Sequence, residues 1–561
     1  MRITDTSDLW WKNAVIYCLD VETFFDSDGD GVGDFAGLAQ RVDYLSELGV
    51  TCLWLMPFYP TPGKDDGYDV SDFYGVDPRL GTHGEVVELV RTAKDRGLRV
   101  IVDLLVNHTS DQHPWFKEAR KSKDNPYRDY YVWRSDPPPD TSDQVVFPDQ
   151  EDSIWEKDEK TGEWYLHHFY KHQPDLNISN RKVQDAIAKV MGFWLQLGID
   201  GFRVDAVPFF LNDLGMSDRE RHDFSRPHEY LRALRQFLQR RSGEGILLGE
   251  VNVPFEDQVA FFGGTNGDEL TMMFDFIGMQ AVYLSMARAD ARPLAEALRQ
   301  RPLDKISPDS QYANFLRNHD ELTLDKLSES ERQEVFAAFG PEPEMQLFGR
   351  GLKRRLPPML EGDPRRIKMA YSLLFALPGT PVLFYGEEIG MGENLELPGR
   401  MAVRTPMQWT DEPGAGFSTA PARKLVAPIV TGGFGPEHVN VASARHDPDS
   451  LLRHITLMAQ RYRECPELGW GDFRVLEQPE VSVLAHRCTW DEASMVLLHN
   501  LGPESVVVPL TLDDDEEGTL LVDLLQEGEC RLDERRSVEL ALDGYGYRWL
   551  RVQRPGDRRL P

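Results

Sequence analysis

The chain has 561 residues, of which 41% are hydrophobic and 28% charged, a composition typical of a globular protein with a large core. It carries 62 basic and 93 acidic side chains, a formal charge of −31. This excess of negative charge disfavours nucleic acids and anionic membranes as partners and fits a neutral or cationic small-molecule ligand. The length alone predicts several domains.

The cysteines are scattered, odd in number and without a CxxC pair, which argues against a disulfide framework or a zinc site. The first residues contain no apolar segment of the kind found in signal peptides, and no stretch reaches the roughly 18 apolar residues of a membrane span. We therefore expect a cytoplasmic protein with reduced thiols. The oligomeric state is left open.

Short runs rich in β-branched and aromatic residues alternate with helical patterns along the first 390 residues or so. The eight runs are 14–25, 51–58, 99–108, 201–207, 245–251, 271–276, 311–319 and 380–388. Eight strands alternating with helices predict an α/β fold, a parallel (β/α)₈ TIM barrel. An open, doubly wound sheet is the alternative that the pattern leaves open.

The interval between the third and fourth runs is too long for a structureless loop and is rich in proline and aromatic residues. It predicts an inserted subdomain at 109–178, within a catalytic barrel made of 1–108 and 179–469. Beyond that point the pattern changes to alternating strands, which predict a C-terminal antiparallel β-sandwich domain at 470–561.

Three carboxylates follow three of the predicted strands: Asp205 in GFRVDAV, Glu250 in LLGEV and Asp320 in FLRNHD. Active sites of barrels lie at the carboxyl ends of the strands. Each carboxylate alone would fit a helix cap or an ion pair, but three on one rim predict a catalytic site. Two carboxyl groups about 5–5.5 Å apart support retaining glycoside chemistry. Arg203 shares a strand face with Asp205 and would keep that carboxylate ionised.

The motifs VDLLVNH, GFRVDAV, LLGEVN, FLRNHD and QPDLN, in this order, resemble those of the α-amylase family, glycoside hydrolase family 13. The resemblance covers nearly the whole chain. It implies that Asp205 is the nucleophile, that Glu250 is the general acid/base and that Asp320 holds the 2- and 3-hydroxyls of the sugar. Further residues are implied to bind around the glucosyl ring: Arg203, His108 and His319.

A second set of family residues lies in DDGYDV and VRTPMQW. In members that attack a chain end, an Asp–Arg salt bridge closes the pocket behind the terminal glucose, and a tyrosine stacks on the sugar. The matching residues are Asp65, Arg404 and Tyr68. The resemblance therefore implies a blind pocket for one terminal glucosyl unit. On the residues alone, a surface turn at DDGYDV and a structural role for Arg404 are the alternatives.

The segment DSDGDGVGD has carboxylates at positions 1, 3 and 5, a glycine at 6 and a further aspartate at 9, which is the pattern of a calcium loop. The expected ligands are Asp26, Asp28, Asp30, Val32 through its carbonyl, and Asp34. Position 12 is Gly37, so this is not a true EF-hand, and a cation-free acidic turn is the alternative. The resemblance implies a second calcium ion on Asn107 and Asp175. No organic cofactor is expected.

Several longer stretches, among them VNHTSDQHPWF and FLRNHDELTL, are similar to the trehalose synthases of the family, which interconvert maltose and trehalose. The segments 211–230 and 251–255, which border the acceptor side, depart from that pattern. We expect a retaining enzyme acting on the terminal glucosyl unit of small α-glucosides such as maltose or trehalose, with isomerisation as the first expectation. The alternatives are a hydrolytic α-glucosidase, a small-oligosaccharide α-amylase and a transglucosylase with another acceptor. A non-catalytic carbohydrate-binding protein conflicts with the intact carboxylate triad.

Overall fold

The computed structural model describes residues 9–210, 228–512, 515 and 517–555. Its strands, numbered along the chain, are β1 (Ile16–Leu19), β2 (Cys52–Leu55), β3 (Arg99–Leu104), β4 (Trp133–Arg134), β5 (Trp155–Lys157), β6 (Trp164–Leu166), β7 (Gly201–Val204), β8 (Ile246–Gly249), β9 (Met272–Phe274), β10 (Gln311–Phe315), β11 (Leu322–Thr323), β12 (Gln346–Leu347), β13 (Gly351–Leu352), β14 (Thr380–Phe384), β15 (Asp472–Leu476), β16 (Val483–Trp490), β17 (Ala493–Asn500), β18 (Val506–Thr511), β19 (Leu520–Asp523), β20 (Glu529–Arg531), β21 (Ser537–Leu542) and β22 (Tyr547–Gln553).

Eight parallel strands close a barrel in the order β1-β2-β3-β7-β8-β9-β10-β14 and back to β1. They are the eight predicted strands, so the TIM barrel is confirmed and the open-sheet alternative is wrong. Apart from Arg99, every residue of these strands is buried. Parallel strands covered on both faces need such nearly continuous apolar runs, and the sequence supplies them.

Helices connect the barrel strands, and polar caps begin several of them. The helix before β3 begins after Thr82, which forms a capping box with Glu85, and the helix before β7 begins after Asn180. The helices of the barrel and its loops are Val21–Phe24, Phe35–Gln40, Val42–Leu48, His83–Asp95, Arg181–Gln196, Val207–Phe210, His228–Gln239, Phe255–Phe262, Phe276–Arg288, Arg292–Gln300, Glu329–Phe339, Leu356–Met359, Pro364–Ala376, Val441–His446, Leu451–Glu464 and Pro466–Trp470.

The inserted subdomain follows β3 as predicted. Its strands form a small antiparallel sheet in the order β4-β6-β5, and it carries the helix Pro114–Ala119. An isolated bridge between His108 and Asp175 joins its end to the segment that leaves β3, and a second one, Tyr131 with Leu176, joins two parts of the insert. The insert therefore stands at the carboxyl end of the barrel, beside the predicted catalytic residues. The precise domain boundaries stay predictions.

A second extension, which the sequence analysis did not predict, follows β10. The helix Glu329–Phe339 leads into a hairpin of β12 and β13, and β13 also pairs with β11. Strands of two residues are too short to give an alternating pattern in the sequence. This hairpin lies on the same rim of the barrel as the insert.

The C-terminal residues form two antiparallel sheets, one ordered β15-β16-β17-β22-β19-β20 and one made of β18 and β21. Side chains of both sheets share one apolar core, for example Val496, Leu550, Val508 and Leu540. This is the predicted β-sandwich. Trp549 of β22 donates from Nε1 to Ser372 Oγ of the barrel at 3.1 Å, which ties the domain to the barrel. Among the helices of the described ranges, none has the length and apolarity needed to cross a bilayer.

Candidate active site

The carboxyl ends of β7 and β8 bring the two predicted catalytic carboxylates together. Val204 lies opposite Gly249 in the parallel register, so the residues that follow them, Asp205 and Glu250, leave the barrel side by side. Both carboxylates pair with Arg203: its Nη1 donates to Asp205 Oδ1, and its Nη2 lies 2.8 Å from Glu250 Oε2. Two carboxylates that share one guanidinium are placed to act on the same glycosidic bond.

A third buried carboxylate, Asp103 of β3, holds Arg203 from the adjacent strand. The two residues are opposite each other in the β3–β7 register, and Arg203 Nη1 donates to Asp103 Oδ1 at 2.6 Å. Trp54 Nε1 donates to the other carboxylate oxygen of Asp103 at 2.7 Å. One guanidinium therefore faces three carboxylates, and this buried centre keeps an excess of negative charge.

The environments of Asp205 and Glu250 suit different roles. Burial raises the pKa of Asp205 to about 6 against the attraction of Arg203. Burial also raises the pKa of Glu250, to about 7, with further contributions from the charges of Asp205 and Asp320. The hydrogen bond from Arg203 favours the ionised state that a nucleophile needs at Asp205, and the charges of Asp205 and Asp320 favour the protonated state that a general acid needs at Glu250.

Asp320, beyond β10, lies among basic side chains. Arg400 Nη1 and Arg404 Nη2 each lie 3.0 Å from its Oδ1, and His319 Nε2 lies 3.3 Å from its Oδ2. Although burial opposes the charge, Arg400, His319 and Arg404 hold the pKa of Asp320 well below its usual range. An ionised carboxylate of this kind is suited to accept hydrogen bonds from sugar hydroxyls.

Four of the residues predicted to bind the glucosyl ring meet on one side of the site. The rings of Tyr68 and His319 are stacked with centroids 5.4 Å apart, and Tyr68 Oη lies 2.7 Å from His319 Nε2. His108 Nε2 lies 3.1 Å from the carbonyl oxygen of Tyr68. Gln173 of the insert donates from Nε2 to Asp65 Oδ2 at 2.8 Å. The insert thus helps to fix the wall around the sugar.

The predicted partner of Arg404 is wrong, because the salt bridge is formed by Asp66 and not by Asp65. Arg404 Nη1 lies 2.7 Å from Asp66 Oδ2, and Arg404 Nε donates to the carbonyl of His319 at 2.8 Å. Asp66 has a φ of +48°, in the left-handed region. Asp65 stays in the pocket wall against Gln173, where burial raises its pKa to about 7.

These groups line a cavity of about 400 Å³ at the carboxyl end of the barrel. Small-molecule sites have volumes of roughly 300–1,000 Å³. Parts of the barrel, the insert and the hairpin after β10 line the cavity. Lining residues outside the predicted set include Gln144, Val145, Val146, Phe209 and Arg350.

Asn252 belongs to a second polar network, two residues beyond the acid/base. Its Nδ2 donates to Asp325 Oδ1 at 2.8 Å, and the buried Gln280 donates from Nε2 to the same oxygen at 3.2 Å. Lys326 Nζ donates to Asp325 Oδ2 at 2.7 Å. Asn252, Asp325 and Lys326 all line the cavity. They present charged and amide groups to the cavity.

The acceptor walls are only partly those predicted. Residues 211–227 of the predicted segment 211–230 lie outside the described residues. The segment 251–255 contributes Asn252 to the cavity. The walls formed by 144–146 and Arg350 were missed, because nothing in those stretches has the composition of a motif.

On the donor side, Asp103, Asp66 and Arg400 were also missed. Asp103 lies inside the quoted VDLLVNH motif, and a central charged residue in a buried strand could have indicated a partner for Arg203. Arg400 precedes Arg404 by four residues and pairs with both Asp320 and Glu321. Of these two arginines, the sequence analysis assigned a role only to Arg404.

In the predicted calcium loop, carboxylate oxygens of Asp26, Asp28 and Asp34 lie within 4.8 Å of one another. Asp30 is not in this group, and its Oδ1 accepts a hydrogen bond from the N–H of Val32 at 2.8 Å. Oxygen ligands of this kind are those that Ca²⁺ prefers. Three of the four predicted acidic ligands therefore come together.

Asn107 and Asp175 meet where the insert joins the barrel. Asn107 Nδ2 lies 3.3 Å from Asp175 Oδ1, and the Nδ1 and main-chain N–H of His168 bind the same carboxylate. Asn107 Oδ1 has no hydrogen-bond partner within the described residues. A cation on this pair would compete with His168 for Asp175, and the second calcium site stays a prediction.

The fold and the site define a barrel enzyme that processes glycosides through paired carboxylates. The family profile described as alpha amylase, catalytic domain, matches residues 19–336 and 353–471, and the chain belongs to this family. A profile described as sucrose hydrolase-like, C-terminal domain, matches residues 493–551. The family resemblance predicted from the motifs is therefore confirmed.

Curated relatives include a synthase and a hydrolase. The chain is 40% identical over 549 residues to a trehalose synthase/amylase of Mycobacterium tuberculosis, covering 97% of this chain and 90% of the relative. It is 30% identical to an oligo-1,6-glucosidase of Parageobacillus thermoglucosidasius, covering 90% of this chain and 92% of the relative. Among solved structures, an α-amylase from H. orenii superposes with a TM-score of 0.79 at 26% identity, covering 97% of this chain and 100% of the other.

Proposed function

We propose that the protein interconverts maltose and trehalose by double displacement. The observation that carries this proposal is the wall around the acceptor space, to which the insert contributes 144–146, the barrel Asn252 and the hairpin Arg350. A glucose released inside such a wall stays at a high effective concentration and outcompetes water. The 40% sequence identity to the mycobacterial trehalose synthase/amylase supports the same activity.

In the first half-reaction, a carboxylate oxygen of Asp205 attacks C1 of the terminal glucosyl unit while Glu250 gives its proton to O4 of the departing glucose. The C1–O4 bond breaks and a C1–Asp205 bond forms. Asp320 accepts hydrogen bonds from the 2- and 3-hydroxyls. The excess negative charge around Arg203 stabilises the oxocarbenium-like charge that develops on the sugar.

In the second half-reaction, the retained glucose turns so that its anomeric hydroxyl faces C1. Glu250, now a carboxylate, removes the proton of that hydroxyl, whose oxygen bonds to C1 as the bond to Asp205 breaks. Two inversions restore the α configuration, and the product is trehalose. If glucose leaves first, water takes its place and two glucose molecules result, which is the hydrolytic alternative.

We also propose that Ca²⁺ binds the loop through Asp26, Asp28 and Asp34 and has a structural role. Three carboxylates this close repel one another, and a divalent cation removes the repulsion. Asp26 also accepts a hydrogen bond from Ser418, and Val426 N–H donates to the carbonyl of Gly31 at 2.9 Å. The ion would therefore stabilise the joint between this loop and the segment after β14.

The test is a product time course from maltose, trehalose and sucrose in separate incubations, resolved by chromatography. We expect trehalose as the main product from maltose and glucose as the minor one. Glu250→Gln, which lacks a titratable acid, supplies the background. Glucose without trehalose at any time would favour the α-glucosidase, and new oligosaccharides would favour a transglucosylase.

A further inference from the structure

The hairpin after β10 carries an aromatic residue in a strained backbone conformation at its tip. The N–H of Arg350 donates to the carbonyl of Leu347 at 3.3 Å and closes the turn. The residues between them, Phe348 and Gly349, have φ values of +55° and +63°. Two successive positive φ values are typical of a type I′ turn, in which Asn–Gly is the favoured pair. A phenylalanine in this position is disfavoured by the backbone, which points to a role for its ring.

The ring of Phe348 reaches across to the insert. Its centroid lies 5.0 Å from that of the buried Phe147, whose ring in turn stacks on Tyr170 with centroids 4.4 Å apart. The guanidinium of Arg400 lies 4.8 Å from the centre of the Phe147 ring and 6.0 Å from that of Phe348. These four side chains, Phe147, Tyr170, Phe348 and Arg400, form an aromatic bridge between the hairpin and the insert.

The aromatic bridge adjoins the acceptor walls of the cavity. Residues 144–146, which immediately precede Phe147, line the cavity, and so does Arg350, two residues after Phe348. Arg400 lines the cavity itself and lies 3.0 Å from Asp320. The family match stops at residue 336 and resumes at 353, so the tip of the hairpin lies outside the matched sequence of the catalytic domain. The aromatic bridge therefore joins the hairpin wall of the cavity to the wall formed by the insert.

We infer that Phe348 is a positioning residue that locks the hairpin to the insert and thereby retains the leaving glucose. The inference rests on the proposed isomerisation of maltose. Without the ring of Phe348, Phe147 loses its partner on the hairpin, and the two walls are free to separate. The released glucose then leaves before it turns, and water reaches the glucosyl ester of Asp205 more often.

The decisive variant is Phe348→Asn, which removes the ring and creates the Asn–Gly pair that the turn favours. Its melting temperature should equal or exceed that of the wild type, whereas its ratio of glucose to trehalose from maltose should rise by about threefold or more. Carbon-13-labelled glucose added to the reaction should enter trehalose more often by a similar factor. Total consumption of maltose should change by less than about twofold. Phe348→Tyr keeps the ring and should keep the wild-type ratio.

A matched control is Tyr545→Asn in the C-terminal domain. Tyr545 is also an aromatic residue with a positive φ, +59°, followed by a glycine, but it does not line the cavity. This variant should leave the product ratio unchanged. If the wild type makes trehalose and Phe348→Asn gives the wild-type ratio and label, or only a higher KM for maltose, the inference is overturned. A wild type that makes no trehalose refutes the proposed function before any variant is compared, and the inference falls with it.

Discussion

Replacing Asp205 with asparagine should abolish turnover and at the same time stabilise the fold above pH 7. An amide cannot form the glucosyl ester, so the rate of maltose consumption should fall by about 10³-fold or more. The stability effect comes from the buried charge. Burial outweighs the attraction of Arg203 and raises the pKa of Asp205 from 3.8 to about 6. The ionised side chain therefore opposes folding.

The size of this effect depends on pH. One pKa unit corresponds to about 1.4 kcal/mol, so ionised Asp205 lowers the free energy of unfolding by about 3 kcal/mol at pH 8. Because the folded state keeps the proton to a higher pH than the unfolded state, this loss grows between pH 3.8 and about 6 and is complete above that range. The asparagine variant is neutral throughout, so its advantage should be about 3 kcal/mol at pH 8 and about half of that near pH 5.

The assay is a thermal melt of both proteins at the two pH values, together with maltose turnover. Asp158→Asn is the control, because Asp158 is a buried aspartate of the insert that lies away from the cavity. Burial alone would raise the pKa of Asp158, but hydrogen bonds from Thr161 and Arg120 hold it below its usual value. That variant should be less stable and still active. A tenth of wild-type activity in Asp205→Asn would refute the nucleophile, and a lower melting temperature at pH 8 would refute the electrostatic reasoning.

Three further predictions follow from the site and the loop. The pH profile of kcat/KM for maltose should be bell-shaped, with its maximum between about 6 and about 7, because Asp205 must be ionised and Glu250 protonated. A rate that climbs steadily into the alkaline range would contradict these roles. Arg404→Ala leaves Asp66 without its cation and should raise KM for maltose by about tenfold; a KM close to that of the wild type would argue against the blind pocket. Asp28→Ala should lower the melting temperature in calcium buffer but not in chelator, while activity at low temperature persists. Equal wild-type melting temperatures in the two buffers would count against a structural ion.

The barrel and the positions of Asp205 and Glu250 on its rim were predictable because each depends on a short stretch of sequence. A buried parallel strand is a nearly continuous apolar run, and the residue that ends it points to the rim. Asp205 and Glu250 are one residue beyond β7 and β8, so the register of two neighbouring strands is enough to place them side by side. The insert was equally predictable, since a gap of that length needs structure of its own.

The remaining features depend on contacts between distant segments. The helices Phe35–Gln40 and Val42–Leu48 are separated at Arg41, whose guanidinium lies 3.8 Å from the centre of the Phe25 ring and 4.3 Å from that of Trp409. Arg404 pairs with Asp66 and not with Asp65, and the two adjacent aspartates of DDGY do not indicate which of them forms the contact. Patterns of apolar residues carry no information on either contact.

The charge arrangement at the centre of the site stabilises the transition state of the reaction more than it stabilises the folded protein without substrate. Asp103, Asp205 and Glu250 share one cation, Arg203, so this centre has more carboxyl groups than cations, and burial raises the pKa of each carboxyl group. Neutral maltose does not supply positive charge, but a glucosyl unit with oxocarbenium character does. The attraction therefore strengthens as the glycosidic bond breaks, which lowers the barrier without tightening the binding of the substrate. The same imbalance makes the folded state less stable than a chain with one carboxylate fewer, so the stability lost at Asp205 is a direct consequence of the charge that the reaction requires.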